Sequence, residues 1–210
     1  MEFNTFLSYI SKLKELPLGG ESSQFKMAPE IRIKYSLKDV EVKKPKESAV
    51  LALFYPDRYH NTTVLLMLRA SYNGVHSAQI SFPGGKKEKN DVNLQHTALR
   101  ETEEEIGILK SDIKIIRELT KTYIPPSNFW VTPFIGVLDS IPTFKTNSEV
   151  EKLIEIKLAD LLNDNSISSK NLTTSYMRNI DVPCFKFYNY VIWGATAMML
   201  SEIKDLLKLV

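Results

Sequence analysis

The stretch SFPGGKKEKNDVNLQHTALRETEEEIGI, residues 81–108, decides the reading of the whole chain. It passes from a Pro83-Gly84-Gly85 turn into a helix that closes Arg100-Glu101-Thr102-Glu103-Glu104-Glu105-Ile106-Gly107. Like charges at i,i+4 weaken a helix by a few tenths of a kcal/mol per pair, so this crowding needs a reason other than helix stability. At about 100° per residue, Glu101, Glu104 and Glu105 fall within roughly a third of the circumference. Ala98, Leu99, Thr102 and Ile106 share a neighbouring face suited to a core, and Glu103 points elsewhere, toward solvent. Three carboxylates on one edge form an oxygen-only donor set of the kind Mg²⁺ or Mn²⁺ takes. The competing reading is a solvated acidic face. Arg100 is expected to pin one of the carboxylates through a two-pronged contact. Gly107 stands where the left-handed residue ending a helix belongs.

Outward from this stretch the chain punctuates itself. Phe3, Phe6, Leu7, Ile10, Leu13 and Leu16 recur at helical spacing and predict one amphipathic helix over residues 4–16, ended by Gly19-Gly20. Residues 21–46 are polar and mixed, a segment expected to wrap the domain, and contain the string QFKMAP at 24–29. Strands are expected at 48–55 and 63–69, joined as a hairpin by a turn at 57–61. Residues 79–82 lead into the Gly-Gly turn. Further strands are expected at 113–119, 121–124, 129–138 and 150–156, then a short helix at 158–162 and a polar loop at 163–171. Strands at 184–190 and 191–193 precede a closing amphipathic helix at 195–207. Strands interleaved with a few helices give an α/β fold, a sandwich around a mixed sheet. The organisation expected is an N-terminal helix and wrapping segment, 1–46, and one domain, 47–210.

The chain has 210 residues, 43% of them hydrophobic, enough for one good core. A formal charge of +2 gives no global pull toward nucleic acid, and the basic cluster at residues 43–46 reads as a solvated linker. The single cysteine, Cys184, excludes an internal disulfide and a multi-cysteine zinc site, and is expected to be a buried thiol. With no visible signal sequence and no apolar run of spanning length, the expectation is a cytoplasmic protein without a membrane partner. A homodimer is compatible with the sequence.

The acidic helix and its turn resemble the Nudix box, G-x5-E-x7-R-E-U-x-E-E-x-G-U, with U a bulky aliphatic residue. From Arg100 onward the match runs position by position, with Thr102 and Ile108 at the two U positions. Upstream, one extra residue between Gly85 and Arg100 brings Gly85 to the box glycine and Asp91 to the place of the first glutamate. The coenzyme A branch of the family has that longer spacing. The run from Leu65 to Gly85 resembles the signature of that branch at Leu65, Leu66, Arg69, Ala70 and Phe82-Pro83-Gly84-Gly85. It departs at Met67, at Gly74 where the branch has arginine, and at Ala78 where it has glycine. YIPPSNFWVTPFIG (123–136) and VIWGATAMML (191–200) also look like segments of this branch.

The resemblance implies a Nudix-type α/β/α sandwich and metal-dependent hydrolysis of a diphosphate that joins a nucleoside to another group. It implies Glu101, Glu104 and Glu105 as ligands of Mg²⁺ or Mn²⁺, Arg100 as the residue that orients Glu101, and a substrate contact along Gly84, Gly85, Arg69 and Lys86. His76 and Lys87 are further candidates for a phosphate. The general base is either a box glutamate such as Glu104 or Glu149, whose surroundings are similar to a later glutamate of the family. Tyr72, Phe129, Trp130, Tyr176 and Trp193 are candidates for stacking on adenine. The substrate expected is a small-molecule nucleotide, coenzyme A or a thioester of it. ADP-ribose or a dinucleotide is one alternative. A non-catalytic nucleotide sensor on the same fold is another, and the full set of helix carboxylates argues against it.

Overall fold

The computed structural model describes residues 1–30, 40, 43–70, 79–174 and 177–210, with the side chains of Thr174, Met177 and Arg178 left aside. Its centre is a mixed sheet built on β1 (Lys46–Pro56) and β2 (Thr62–Arg69), which form an antiparallel hairpin as expected. The turn between them is tied by Asp57, whose Oδ1 accepts the N–H groups of Tyr59 and Asn61, each at 2.8 Å. β1 reads as a continuous apolar run because both of its faces are covered. Its period of two sends Ala49, Leu51, Leu53 and Tyr55 to one core, and Ala52 and Phe54 to another.

β1 and β2 are paired only where 54–56 meets 62–64. Beyond that they part, and the segment 80–86 fills the fork. Its first half, β3 (Ile80–Ser81), pairs with β2, and its second half, β4 (Gly84–Lys86), pairs with β1. β5 (Lys114–Glu118) and β6 (Thr122–Ile124) both pair with β7 (Phe129–Val137), which runs parallel to β1. Pro133, with no N–H to give, stands at the seam between the stretch of β7 paired to β6 and the stretch paired to β5. β8 (Val150–Lys157) closes the far edge on β2.

One face of the sheet carries the acidic helix, α4 (Leu94–Ile106), through Ala98 and Ile106. The other face carries the N-terminal helices and the closing helix α6 (Gly194–Leu207), giving a helix–sheet–helix sandwich. Short helix α5 (Leu158–Leu162) lies where expected. A small second sheet joins β9 (Ile167–Thr174), β10 (Met177–Phe187) and β11 (Tyr190–Trp193).

Four expectations are corrected. The predicted single helix at 4–16 is two, α1 (Phe3–Ser8) and α2 (Ile10–Glu15). The Tyr9 N–H bonds to the Phe6 carbonyl only three residues back, and this pinches the turn. α2 ends at Leu16, which is extended because Pro17 follows. Gly19-Gly20 therefore does not end it, and Gly20 opens α3 (Gly20–Gln24) instead. The polar loop expected at 163–171 is in large part β9, and β10 begins well before residue 184.

QFKMAP, opaque as a string, has a structural reason. Gln24 is 1% exposed. Its Nε2 donates to the Thr120 carbonyl at 2.7 Å and to Glu202 at 3.0 Å, and its Oε1 accepts from Thr122 at 2.8 Å. Met27 enters the core beside α6. Cys184 is buried, and burial raises its thiol pKa. No helix among the described residues is long and apolar enough to cross a membrane.

Candidate active site

α4 is set in place at both ends. Asn93 caps its start, accepting the His96 N–H at 2.7 Å. Gly107 ends it at φ +73, where a Cβ would press on the backbone of Lys145. Thr102, in the place of an aliphatic residue, is fully buried because its hydroxyl returns to the Ala98 carbonyl at 2.7 Å.

The fork in the sheet brings the Gly-Gly turn against this helix. Glu105 is 1% exposed. Its Oε2 accepts the Gly84 N–H at 2.7 Å, and its Oε1 accepts Arg69 Nη1 at 3.0 Å. Burial pushes its carboxyl up to about 7; Glu101 and Glu149 act in the same direction, while Gly84 and Arg69 oppose it. Glu101 is half-buried, with Oε1 at 3.0 Å from Arg100 Nη1. Burial raises its carboxyl too, against the pull of Arg100, and the charges of Glu104 and Glu149 add to the rise. Glu104 is exposed at the rim, 3.3 Å from Arg100 Nη1. Glu149 is also exposed and meets Arg69 Nη2 at 3.1 Å. Arg69 thus bridges Glu105 on the helix and Glu149 before β8.

Arg100 aims differently from expectation. Its fork closes on Asp91, Nε to Oδ1 and Nη2 to Oδ2 at 3.0 Å each, rather than on a helix glutamate. The reason is that Asp91 is already oriented. It is 6% exposed and accepts the Glu88 N–H at 2.8 Å and the Thr97 hydroxyl at 2.9 Å, with His96 Nδ1 also at 2.9 Å. The Arg100 guanidinium holds the Asp91 carboxyl well below the usual carboxylate range, overcoming its burial. Nη1 is left to reach Glu101 and Glu104, and Nη2 also meets the Lys86 carbonyl at 3.2 Å. Asp91 is therefore an anchor for Arg100. His96 and Thr97, its other partners, were not singled out by sequence, where they read as ordinary helix residues.

The donor chemistry fits a divalent cation. Four carboxylates, Glu101, Glu104, Glu105 and Glu149, lie close enough that their charges oppose one another. A Cβ at Gly85 would sit 2.5 Å from the Glu101 carboxylate, so this glycine leaves room where the acid faces the turn. Among the described residues no group of three or more acidic, imidazole or thiol side chains is gathered closely enough to hold a metal ion as it stands. Mg²⁺ is ordinarily held by one or two carboxylates together with waters and substrate phosphates, so an open edge of this kind suits it.

Between the Gly-Gly turn and the start of α6 lies a cavity of about 590 Å³. Its lining includes three segments distant in sequence: the run from Gln79 through the turn with Gly84, Gly85 and Lys86, the Tyr123-to-Phe129 corner between β6 and β7, and the start of α6 from Trp193 to Met199. Thr196 fastens two of them, its hydroxyl donating to the Ile80 carbonyl at 2.9 Å. Arg69 and Lys86 both line the cavity, although Arg69 is engaged by carboxylates while Lys86 is exposed. Lys87 pairs instead with Glu47 at 3.1 Å. Of the aromatic candidates, Phe129 and Trp193 are in the lining. Trp130 packs on Tyr123 at 5.5 Å, outside the lining. Tyr72, Gly74, His76, Ala78 and Tyr176 lie outside the described residues.

Known proteins resemble this chain in sequence and in fold. A sequence model of the NUDIX domain matches residues 45–174. A protein of Yersinia pestis (strain Pestoides F), named as an uncharacterized Nudix hydrolase NudL, is 34% identical over 142 residues, covering 67% of this chain and 70% of its own. A Nudix hydrolase from M. smegmatis, RenU, superposes at TM-score 0.54 with 14% identity, over 79% of this chain and 88% of its own. A MutT/nudix family protein from Enterococcus faecalis superposes at TM-score 0.52 with 13% identity, over 99% of this chain and 70% of its own. At those identities the two structures speak to the fold alone.

Proposed function

The chain belongs to the Nudix family, and from that premise we propose that it splits the diphosphate of coenzyme A, or of its thioesters, with Mg²⁺ or Mn²⁺. The products are 3′,5′-ADP and 4′-phosphopantetheine or its acyl derivative. One observation carries this reading: the three segments that resemble the coenzyme A branch, remote in sequence, wall one cavity whose lining includes Arg69, Gly84 and Gly85, the residues that meet Glu105 and face Glu101.

Glu101, Glu104 and Glu105 hold the cation in this reading, with Arg100 a positioning residue that keeps Glu101 and Glu104 on the edge. The bound cation neutralises the diphosphate and lowers the pKa of water. The Gly84 and Gly85 backbone lets phosphate oxygens approach without a Cβ in the way. Buried Glu105 is fixed from two sides, so little reorganisation is needed as charge develops. Glu149 takes the proton of the attacking water: it stands outside the helix, exposed, held only at one oxygen by Arg69. With Arg69 committed to carboxylates, Lys86, exposed and in the cavity lining, is among the described residues the cation left there to meet the 3′-phosphate.

A comparison of kcat/KM for coenzyme A, dephospho-coenzyme A and ADP-ribose tests the substrate. Coenzyme A is expected to lead by about tenfold or more, the equivalent of about 1.4 kcal/mol, since its 3′-phosphate forms a charge-assisted contact the others lack. Equal efficiencies would remove the coenzyme A assignment.

A further inference from the structure

We infer that the cavity receives the non-nucleotide arm of coenzyme A, an uncharged chain bearing amides, while the 3′-phosphorylated nucleotide stays at its charged mouth. This rests on the coenzyme A reading above. The cavity, at about 590 Å³, falls within the roughly 300–1,000 Å³ of ligand pockets. Among the described residues its lining has two charged side chains, Arg69 and Lys86. Both belong to the carboxylate end: Arg69 bridges Glu105 and Glu149, and the Lys86 backbone is bound by Arg100. Away from that end the wall includes Ile124, Phe129, Val131, Trp193, Met198 and Met199. Among the described residues a phosphate dianion has no cation to meet there, and an unpaired charge is not buried at tolerable cost. The methylene and methyl carbons of the arm are favoured by the same wall.

The arm's amides need partners, and two lining hydroxyls lack them. Ser81 Oγ and Ser127 Oγ are shielded from solvent and have no hydrogen-bond partner among the described residues. A turn about the Cα–Cβ bond moves either oxygen between staggered positions and lets it meet an amide in the cavity. The diphosphate then lies where the cavity meets Gly84, Gly85 and the helix edge.

The test uses the full chain and three ligands: 4′-phosphopantetheine and 3′,5′-ADP by calorimetry without metal, and coenzyme A by turnover. Ala195→Trp places a large side chain in the cavity from the start of α6, and Ile124→Trp does so from the opposite corner should the first variant fail to fold. The expected result is at least tenfold weaker binding of 4′-phosphopantetheine with 3′,5′-ADP unchanged, and a rise in KM for coenzyme A. Ser127→Ala is expected to act in the same direction, more weakly. Loss of 3′,5′-ADP binding with 4′-phosphopantetheine unaffected would put the nucleotide in the cavity and overturn the inference, although coenzyme A would still be cleaved. Unchanged binding of both ligands in folded variants would also overturn it. If the wild-type protein leaves coenzyme A intact, the underlying reading of function fails instead.

Discussion

Glu103, Glu104 and Glu105 are consecutive, and the fold gives each different surroundings. Glu105 is enclosed by Gly84 and Arg69, Glu104 stands at the rim under Arg100, and Glu103 has a loose approach of 4.0 Å to Lys110. Glu104→Gln and Glu105→Gln are expected to lower kcat by about 10²-fold or more, with thermal unfolding close to wild type, because removing charge from the edge relieves repulsion. Glu103→Gln should leave turnover at the wild-type level. Equal losses at all three positions in a steady-state assay would contradict the geometry. Asp91 carries a different expectation. Its carboxylate is buried and paired with Arg100, so Asp91→Asn takes from the guanidinium its two-pronged partner and leaves it Glu101 and Glu104 alone, at a cost of about 2 kcal/mol in urea unfolding. Because the folded carboxyl titrates below the roughly 3.9 of an unfolded Asp, its contribution is complete above about pH 4 and is lost as pH falls further. The difference in urea midpoint between wild type and Asp91→Asn should therefore shrink on acidification, and a constant difference would argue against the ion pair.

At the scale of elements, the Gly-Gly turn separates folding from chemistry. Gly84 has φ +143, and a Cβ there would collide with the Ala49 carbonyl in the middle of β1. Gly84→Ala is expected to unfold the protein or strongly destabilise it. At Gly85 the obstacle is the end of the flexible Glu101 side chain. Gly85→Ala should keep the fold, as judged by circular dichroism, and lose activity as Glu101 is displaced. Matching loss of structure in both variants would refute the distinction. The elements that sequence predicted well are those whose side chains settle the matter: β1 through its apolar run, α4 through Asn93, its core face and Gly107. β9 was missed because it is a polar edge strand, mostly exposed, and held by its backbone ladder to β10 rather than by buried side chains. The break at Tyr9 leaves the spacing of apolar residues intact, so periodicity could not reveal it. Within the site, the acidic edge was legible because helical spacing fixes it. The partner of Arg100 was not, since Asp91 reaches it through the fold of a loop.

Across the whole molecule, a buried polar cluster fastens the N-terminal segment to the closing helix. Glu202, fully buried, accepts the Gly20 N–H at 3.0 Å, Gln24 Nε2 at 3.0 Å and the Thr120 hydroxyl at 2.6 Å. Ser23 and Lys26 both reach Asp205 one turn on. Pro29, Met198 and Met199 all line the cavity, so this clasp also shapes the proposed substrate site. Glu202→Ala leaves these donors short of an acceptor and should cost about 3 kcal/mol, with KM rising more than kcat falls. A variant as stable as wild type in chemical unfolding would show the clasp to be incidental. The proposed activity puts hydrolysis of the coenzyme A diphosphate on the carboxylate edge of one helix, with a divalent cation. The most direct measurement is chromatographic product analysis of coenzyme A incubated with wild type and Glu105→Gln, each with Mn²⁺ or with chelator. 3′,5′-ADP and 4′-phosphopantetheine are expected from wild type with Mn²⁺ and from none of the other three samples. Intact coenzyme A in the wild-type sample with Mn²⁺, or equal product from Glu105→Gln, would contradict the proposal.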